Sequence, residues 1–326
     1  MLSRRALLGL GAVTAAVAAT GGATAFAYSA EMARAEALVS PELSTTTNTR
    51  FGVLEYAEAG QGAPLLMIHG TGGGLDQGLF FAKRFAEGGY RVIAPSRFGY
   101  LRSAFPEDPS SENQADAFVD LLDALKIDKL AVAGGSAGAL SAMAFALRHP
   151  DRCAALLPLV PASYVPRDKP VQSVPPDQMQ MAMAVLKSDL LFWLAIATLP
   201  DQMTEALLAT RPALVKAADP SERERARHIL HAILPVSRRA RGLANDARLA
   251  GNPAQMPIEA ITCPTFAISY EDDGFGTAAA ARYIGRQVPG ARVHVFPDGG
   301  HIGIGHDAEV FTLVDSFLKQ IGYGKP

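Results

Sequence analysis

The order in which apolar residues repeat is the strongest constraint on the fold of this chain. Short apolar runs typical of buried strands alternate with helical patterns from about residue 50 to residue 161, and again from residue 261 onward. Residues 65–69 and 130–133 are compact runs of this kind. Because parallel strands need long crossover connections, the alternation predicts an α/β protein with a mostly parallel sheet and helices on both faces.

This alternation stops in the middle of the chain. A proline-rich stretch begins at Pro161, and helical patterns follow over residues 179–199, 204–218 and 221–234, with almost no strand-like run. We therefore predict an α/β core formed by residues 41–161 and 261–326. An all-helical insertion of residues 162–260 interrupts it.

The first residues have the pattern of an export segment. Arg4 and Arg5 precede an uncharged stretch of residues 6–30, and Ala25-Phe26-Ala27 offers a cleavage site. The arginine pair resembles a twin-arginine signal. An uncleaved membrane anchor through residues 6–30 is the alternative, because a bilayer span needs only ~20 residues; a disordered tail is a third. Either of the first two predicts an exported, periplasmic or otherwise extracytoplasmic protein, so residues 1–40 are left outside the fold.

Charge and cysteine content narrow the range of partners. The chain has 30 Lys and Arg against 32 Asp and Glu, with no long run of one sign, so it lacks the basic stripe of a nucleic-acid-binding protein. A small-molecule substrate fits better. Cys153 and Cys263 are too few for a disulfide framework and have no metal-ligand spacing, so each is expected to be a small buried hydrophobe. We expect no metal and no cofactor.

A candidate nucleophile lies in the pentapeptide of residues 134–138, Gly-Gly-Ser-Ala-Gly, which has the form G-x-S-x-G. It follows a predicted strand and opens a predicted helix, as this motif requires. Such a sharp turn holds Ser136 in a strained conformation with its hydroxyl exposed. Gly134 and Gly138 lack Cβ atoms, so neighbouring elements can approach closely. The alternative is a Gly-Ser loop that only starts a helix.

A candidate oxyanion hole follows the strand of residues 65–69. Residues 69–74 read HGTGGG, and such a turn can direct a backbone N–H at an oxyanion. We assign this role to Thr71, together with Ala137, the residue after the nucleophile. His69, Gly70 and Gly72 are expected to support the turn. A phosphate-cradling loop is the alternative, but its Gly-Lys-Ser/Thr ending is missing.

The candidate base is His301, which follows Gly299-Gly300 on the loop after the strand at residues 292–296. A serine at its ordinary pKa is a weak nucleophile and needs such a base. Loops at the carboxyl ends of parallel strands converge, which brings His301 towards Ser136. His306 is the local rival, although it is expected to begin the last helix.

The candidate acid lies in the run of residues 269–274, which follows another predicted strand. The chain order serine, acid, histidine is that of the G-x-S-x-G hydrolases. Asp273 is preferred over Asp272 from its spacing after the strand. Asp298 ranks third because it shares a loop with His301.

These motifs together resemble the α/β-hydrolase superfamily over roughly residues 50–322. The segment 95–103, PSRFGYLRS, is also similar to the family's D-x-R-G-x-G-x-S turn, with Ser96 in place of Asp and Leu101 in place of Gly. The resemblance implies an eight-stranded, mostly parallel sheet and a cap over the active site formed by residues 162–260. Relatives of the dehalogenase and epoxide-hydrolase types use an aspartate nucleophile, and Ser136 argues against both.

The motifs are compatible with more than one reaction. Hydrolysis of a carboxylic ester is the first interpretation, because esters are the most common substrates of serine members of the superfamily. Carbon–carbon bond hydrolysis of ring-cleavage products and cofactor-free perhydrolysis are alternatives. Some members of the fold only bind ligands, so a non-catalytic ligand-binding protein is a further alternative.

Overall fold

The computed structural model describes residues 21–166 and 184–324. Its central feature is a single eight-stranded sheet. The strands are β1 (Thr45–Thr49), β2 (Gly52–Ala59), β3 (Ala63–Ile68), β4 (Tyr90–Pro95), β5 (Leu130–Gly135), β6 (Cys153–Leu159), β7 (Phe266–Tyr270) and β8 (Arg292–Phe296).

The sheet has the spatial order β1-β2-β4-β3-β5-β6-β7-β8. Strand β2 runs antiparallel to both of its neighbours, whereas every pair from β4 to β8 is parallel. The predicted α/β fold with a mostly parallel sheet is therefore confirmed. Ligands of such sheets bind beyond the carboxyl ends of the strands, and β3, β5, β7 and β8 all lead into predicted site loops there.

Helices cover both faces of the sheet. Leu66 and Ile68 of β3 belong to one buried cluster, whereas Leu65 and Met67 belong to another, as expected when alternate residues point to opposite faces. The helices that connect these strands are α2 (Leu75–Phe81), α3 (Lys83–Glu87), α4 (Ser111–Ala124), α5 (Gly138–Arg148), α11 (Thr277–Gln287) and α12 (Asp307–Gln320). A break at Ala82 separates α2 from α3.

Between β6 and β7 the chain leaves the sheet, and we call residues 162–260 the helical insertion. The helices described there are α6 (Asp189–Thr198), α7 (Pro200–Leu208), α8 (Pro212–Ala217), α9 (Pro220–His231) and α10 (Ala240–Leu249). The helical pattern predicted over residues 179–199 is interrupted, because residues 186–188 are not helical and α6 begins only at Asp189, where the Ser188 hydroxyl accepts a hydrogen bond from the Leu191 N–H and caps it. Residues 179–183 lie outside the described part of the chain.

An additional helix, α1 (Gly21–Leu38), packs against the helical insertion. The ring of Tyr28 lies 5.5 Å from that of Trp193, and Glu31 pairs with His231 at 2.7 Å. Sequence analysis leaves residues 1–40 outside the fold, but these contacts make the end of that segment part of the packed structure. The arginine pair at residues 4–5 lies outside the described residues. Over residues 21–166 and 184–324, no helix has the length and apolar character needed to span a bilayer.

Candidate active site

Ser136 stands at the turn between β5 and α5 in a strained backbone conformation. Its φ is 51°, in the left-handed region that costs a non-glycine residue roughly 1–2 kcal/mol. The Ser136 N–H donates to the Leu159 carbonyl of the neighbouring strand at 2.9 Å, which holds the turn in place. The strain is therefore stored at the predicted nucleophile, where it presents the hydroxyl to the end of the sheet.

The glycines on either side of Ser136 allow close packing of backbone against backbone. A Cβ at Gly138 would lie 2.5 Å from the carbonyl oxygen of His69, and a Cβ at Gly134 would lie 2.6 Å from that of Gly138. Neither contact is possible for a real side chain. The two glycines thus bring β5 and the start of α5 against the end of β3, which carries the predicted oxyanion turn.

His301 lies between Ser136 and Asp273. Its Nε2 is 2.9 Å from Ser136 Oγ, and its Nδ1 is 2.8 Å from Asp273 Oδ2. A carboxylate only accepts hydrogen bonds, so Nδ1 carries the proton and Nε2 is left free to accept the proton of the serine hydroxyl. The Phe275 ring meets the imidazole edge-on at 4.8 Å, and the His301 side chain is largely buried. The structure thus brings together the three residues that sequence analysis selected as nucleophile, base and acid.

Asp273 is buried and is held in its charged form. Burial alone would raise the pKa of its carboxyl group, but the charge of His301 and hydrogen bonds from His301, Thr277 and the Phe275 N–H bring that pKa below its ordinary value. Thr277, at the start of α11, is a contributor that sequence analysis missed. Its position four residues after the acid, at a helix start, is the only signal that could have identified it.

The rival residues occupy other positions. Asp272 accepts a hydrogen bond from the Gly300 N–H at 2.8 Å and pairs with Arg211, so it supports the loop that carries His301. His306 Nε2 lies 3.0 Å from Asp298 Oδ1. This second pair stands apart from the Ser136–His301–Asp273 group, since neither member bonds to any of these three within the described residues.

The predicted oxyanion hole lies beside Ser136. A Cβ on Gly70 would stand 3.1 Å from the Cβ of Ser136, so the glycine-rich turn (residues 69–74) passes directly next to the serine. The N–H groups of Thr71 and Ala137 donate to no acceptor within the described residues, and Thr71 lines the cavity in front of Ser136. The geometry leaves both N–H groups open to a substrate oxygen.

His69 supports this turn from beneath. Its Nε2 accepts the Arg97 N–H at 2.9 Å, so Nδ1 carries the proton and donates to the Gly70 carbonyl at 2.7 Å. Burial, with a further contribution from the charge of Arg97, lowers the pKa of His69 well below its usual value. The ring is therefore a neutral structural element.

A large cavity of about 1270 Å³ opens in front of Ser136 and His301. Its wall is mostly apolar, and both the α/β core and the helical insertion contribute to it. Apolar lining residues include Phe81, Leu159, Val160, Leu208, Ile229, Phe275 and Phe311. Known ligand pockets typically measure about 300–1,000 Å³, so this one can take a substrate with a long apolar group. Among residues 21–166 and 184–324, no cluster of three or more His, Cys, Asp or Glu side chains is placed to hold a metal ion.

The two cysteines are neighbours at the opposite end of the sheet from the serine. Cys153 at the start of β6 and Cys263 before β7 are both buried, with their Sγ atoms 3.5 Å apart. Both are free thiols, and each is a small buried side chain, as the sequence predicts.

A parallel sheet whose carboxyl edge carries a serine–histidine–aspartate group defines a hydrolase of the α/β type. The comparison with protein families agrees: the chain belongs to the α/β-hydrolase fold family, whose model matches residues 63–307. Hydrolase 2 for 2-hydroxy-6-oxononadienedioate and 2-hydroxy-6-oxononatrienedioate from Pseudomonas putida is 27% identical over 82% of this chain and 92% of its own length. Like other relatives of this chain, it is named as a hydrolase.

Relatives with higher sequence identity match this chain over only about a third of its length. An uncharacterized hydrolase of Bacillus subtilis, YcgS, is 37% identical over 31% of this chain, and the chain spans about a third of the length of this and similar relatives. Among solved structures, an α/β-hydrolase fold protein from Nakamurella multipartita gives a TM-score of 0.64 at 24% identity, covering 86% of this chain and 99% of its own. A membrane phospholipase A gives 0.61 at 20% identity, covering 98% and 99%. Both likenesses show the fold alone.

Proposed function

We propose that this enzyme hydrolyses a carboxylic ester with a long apolar acyl group through an acyl-enzyme on Ser136. The observation that carries the proposal is the bonded series Ser136 Oγ–His301 Nε2–Asp273 Oδ2 at the mouth of a mostly apolar cavity. A reactive serine beside such a cavity suits an acyl chain that binds in the cavity with its carbonyl carbon at Oγ.

Acylation begins with attack of Ser136 Oγ on the ester carbonyl carbon, while His301 Nε2 takes the hydroxyl proton. The carbonyl electrons move to oxygen, and the N–H groups of Thr71 and Ala137 stabilise the resulting oxyanion. Collapse of this intermediate breaks the bond to the alkoxide, which receives the proton from Nε2. Asp273 holds the imidazole in the required tautomer and stabilises its charged form.

Deacylation repeats these steps with water. His301 Nε2 removes a proton from a water molecule, whose oxygen attacks the acyl carbon. The second tetrahedral intermediate expels Ser136 Oγ, which recovers its proton from the imidazolium. The products are a carboxylic acid and the free enzyme, and no other reactant is required.

The helical insertion is proposed to be the cap of this site. Leu207, Leu208, Ile229 and Leu243 of the insertion line the cavity that Ser136 faces. A cover of this kind excludes water from the reacting groups and makes contact with the acyl chain. Its sequence would therefore determine which acyl chains are accepted.

Carbon–carbon bond hydrolysis is the second candidate, because relatives that match this chain over most of their length are named for it. Ring-cleavage products carry carboxylates, so their binding calls for a cation without an acidic partner. Among the described lining residues, Arg84 and Arg225 pair with carboxylates, whereas Arg248 bonds to the neutral Asn245. Arg248→Met should therefore impair turnover of an acidic dienone and leave a neutral ester unaffected.

Export is proposed as well, supported by the arginine pair before an uncharged stretch. The small-residue site at Ala25–Ala27 lies within α1, and a cut after Ala27 would leave Tyr28 and Glu31 with their partners in the insertion. Replacing Arg4 and Arg5 by lysine should trap the precursor in the cytoplasm. N-terminal sequencing then separates cleavage from an anchor: an intact leader on protein that pellets with membranes supports the anchor, and an intact leader on free cytoplasmic protein contradicts both.

The test of ester hydrolysis uses p-nitrophenyl esters of increasing chain length and a fluorophosphonate probe. Ser136→Ala should lose ester hydrolysis by about 10⁴-fold or more and should lose labelling. Ser163→Ala is the matched control, because this serine also lines the cavity but bonds only to the Tyr164 carbonyl among the described residues. Activity that survives in Ser136→Ala would contradict the proposal, as would a wild-type enzyme that cleaves dienones but no ester.

A further inference from the structure

The glycine-rich turn (residues 69–74) is held by side chains from other segments. Three successive glycines give it little conformational preference of its own. The Gly70 N–H donates to Gln77 Oε1 at 2.9 Å, and the Gly72 N–H donates to the Tyr100 hydroxyl at 3.2 Å. The position of Thr71, which lies between these two glycines, therefore depends on the side chains that bind its neighbours.

Arg97 holds the carbonyl groups of the same turn. Its guanidinium donates to the His69 carbonyl at 3.0 Å and to the Gly70 carbonyl at 3.1 Å. The remaining donors form a two-point pair with Asp246 at 2.7 and 2.6 Å. Arg97 is 6% exposed, so its charge depends on a partner inside the protein.

Asp246 supplies that partner from the helical insertion. It lies on α10, is 2% exposed, and accepts a further hydrogen bond from the Tyr100 hydroxyl at 2.5 Å. One carboxylate therefore fixes two of the side chains that bind the turn, the guanidinium of Arg97 and the hydroxyl of Tyr100. Loss of its charge would leave the buried guanidinium uncompensated and free to shift with the carbonyl groups it holds.

A second side chain of the insertion binds the next part of the turn. Arg239, immediately before α10 and fully buried, donates to the Gly73 carbonyl and forms a two-point pair with Asp76 at 2.9 and 3.1 Å. Helix α10 is thereby attached to the turn at two places. The insertion and the turn should consequently move together.

We infer that Asp246 is a positioning residue for the oxyanion hole: from the helical insertion it fixes Arg97 and Tyr100, and these hold Thr71 N–H towards Ser136. The inference rests on the proposed function. It assigns the insertion a second role beyond covering the substrate, because any displacement of α10 also displaces an oxyanion donor. The helical insertion and the oxyanion hole should then move together.

Asp246→Asn is the variant that tests this role, measured on a p-nitrophenyl ester. The amide keeps the shape of the carboxylate and removes its charge. Loss of one oxyanion donor typically reduces kcat by 10²–10³-fold, so a displaced donor should reduce it on the order of 10–100-fold with KM nearly unchanged. Binding of a boronic acid, whose tetrahedral adduct on Ser136 places an oxygen in the hole, should weaken by a similar factor.

Asp116→Asn is the matched control. Asp116 is a buried acid that pairs with Arg148 and His149 at the end of α5 away from Ser136, so its substitution also removes the charge of a buried carboxylate from an ion pair with an arginine. This variant should keep kcat and boronic acid affinity. If Asp246→Asn does not fold, as judged by thermal melting, Tyr100→Phe replaces it: it removes the bond to Gly72 and keeps the Arg97–Asp246 pair, with an expected loss of roughly 3–10-fold in both quantities.

The outcomes separate this inference from the proposed function. Wild-type ester hydrolysis that depends on Ser136, together with a folded Asp246→Asn of normal kcat, would overturn the positioning role alone. A fall in kcat with unchanged boronic acid affinity would also overturn it, because the defect would then lie outside the oxyanion hole. An inactive wild-type enzyme that no fluorophosphonate labels would instead overturn the proposed function.

Discussion

Replacing Asp273 by asparagine is the most discriminating perturbation of the proposed triad. The new amide can keep one contact, the Phe275 N–H that donates to Oδ1 at 2.8 Å. At the other position an NH₂ group faces His301 Nδ1, where the carboxylate oxygen of Asp273 accepts a hydrogen bond from Nδ1–H at 2.8 Å. The imidazole must then present a lone pair at Nδ1 and carry its proton on Nε2, so it cannot accept the proton of Ser136.

The wrong tautomer should reduce kcat by about 10⁴-fold, which corresponds to ~5.5 kcal/mol of transition-state stabilisation. Asp272→Asn is the control, because the oxygen that accepts the Gly300 N–H is retained. It loses only the pair with Arg211, whose side chain is 67% exposed. Exposed pairs contribute about 0.2–1 kcal/mol, so kcat should fall less than about 5-fold.

The assay is steady-state hydrolysis of a p-nitrophenyl ester by both variants, with thermal melting to confirm that each is folded. Equal and small losses in the two variants would refute the assignment of Asp273. The assignment would also be refuted if Asp273→Asn lost activity only because it unfolds, with the folded fraction retaining normal kcat.

Three further predictions concern strain, the base and acid stability. The free energy of unfolding of Ser136→Gly, measured by chemical denaturation, should exceed that of Ser136→Ala by roughly 1 kcal/mol, because glycine adopts the positive φ of 51° without strain. Equal free energies of unfolding would contradict this. His301→Ala should abolish ester hydrolysis and His306→Ala should not; the reverse result would assign the role of general base to His306. The hydrogen bond from Arg148 lowers the pKa of Asp116, so its stabilisation is present above about pH 4 and is lost as pH falls further; Asp116→Asn should flatten that acid limb of the unfolding free energy.

Much of the fold and the central site could be predicted because their signals are local. The G-x-S-x-G pentapeptide marks the turn before α5, and the alternation of apolar runs predicts the parallel sheet that carries it. Asp272 and Asp273 are adjacent, and only the orientation of the chain after β7 decides which carboxylate reaches His301. Sequence spacing favoured Asp273, and the structure places its carboxylate against His301. The carboxylate of Asp272 instead accepts a hydrogen bond from the Gly300 N–H.

The supporting contacts could not be predicted because they join distant parts of the chain. Arg97 and Asp246 are separated by 149 positions, and no local pattern marks either as a partner of the other. The segment of residues 95–103, which contains Arg97, resembles the family turn, but Leu101 stands in place of a glycine. Its φ of 50° shows that the turn keeps a left-handed position there without glycine.

The packing of α1 on the helical insertion limits how far the chain can be shortened for laboratory production. A chain that starts after Val39 would expose the face of Trp193 that Tyr28 covers, and would leave His231 and Arg238 without Glu31 and Glu36. An uncovered apolar patch favours aggregation during purification. Truncated chains should therefore begin no later than Tyr28, and turbidity measured on chains starting at Tyr28 and at Ser40 would show the difference directly.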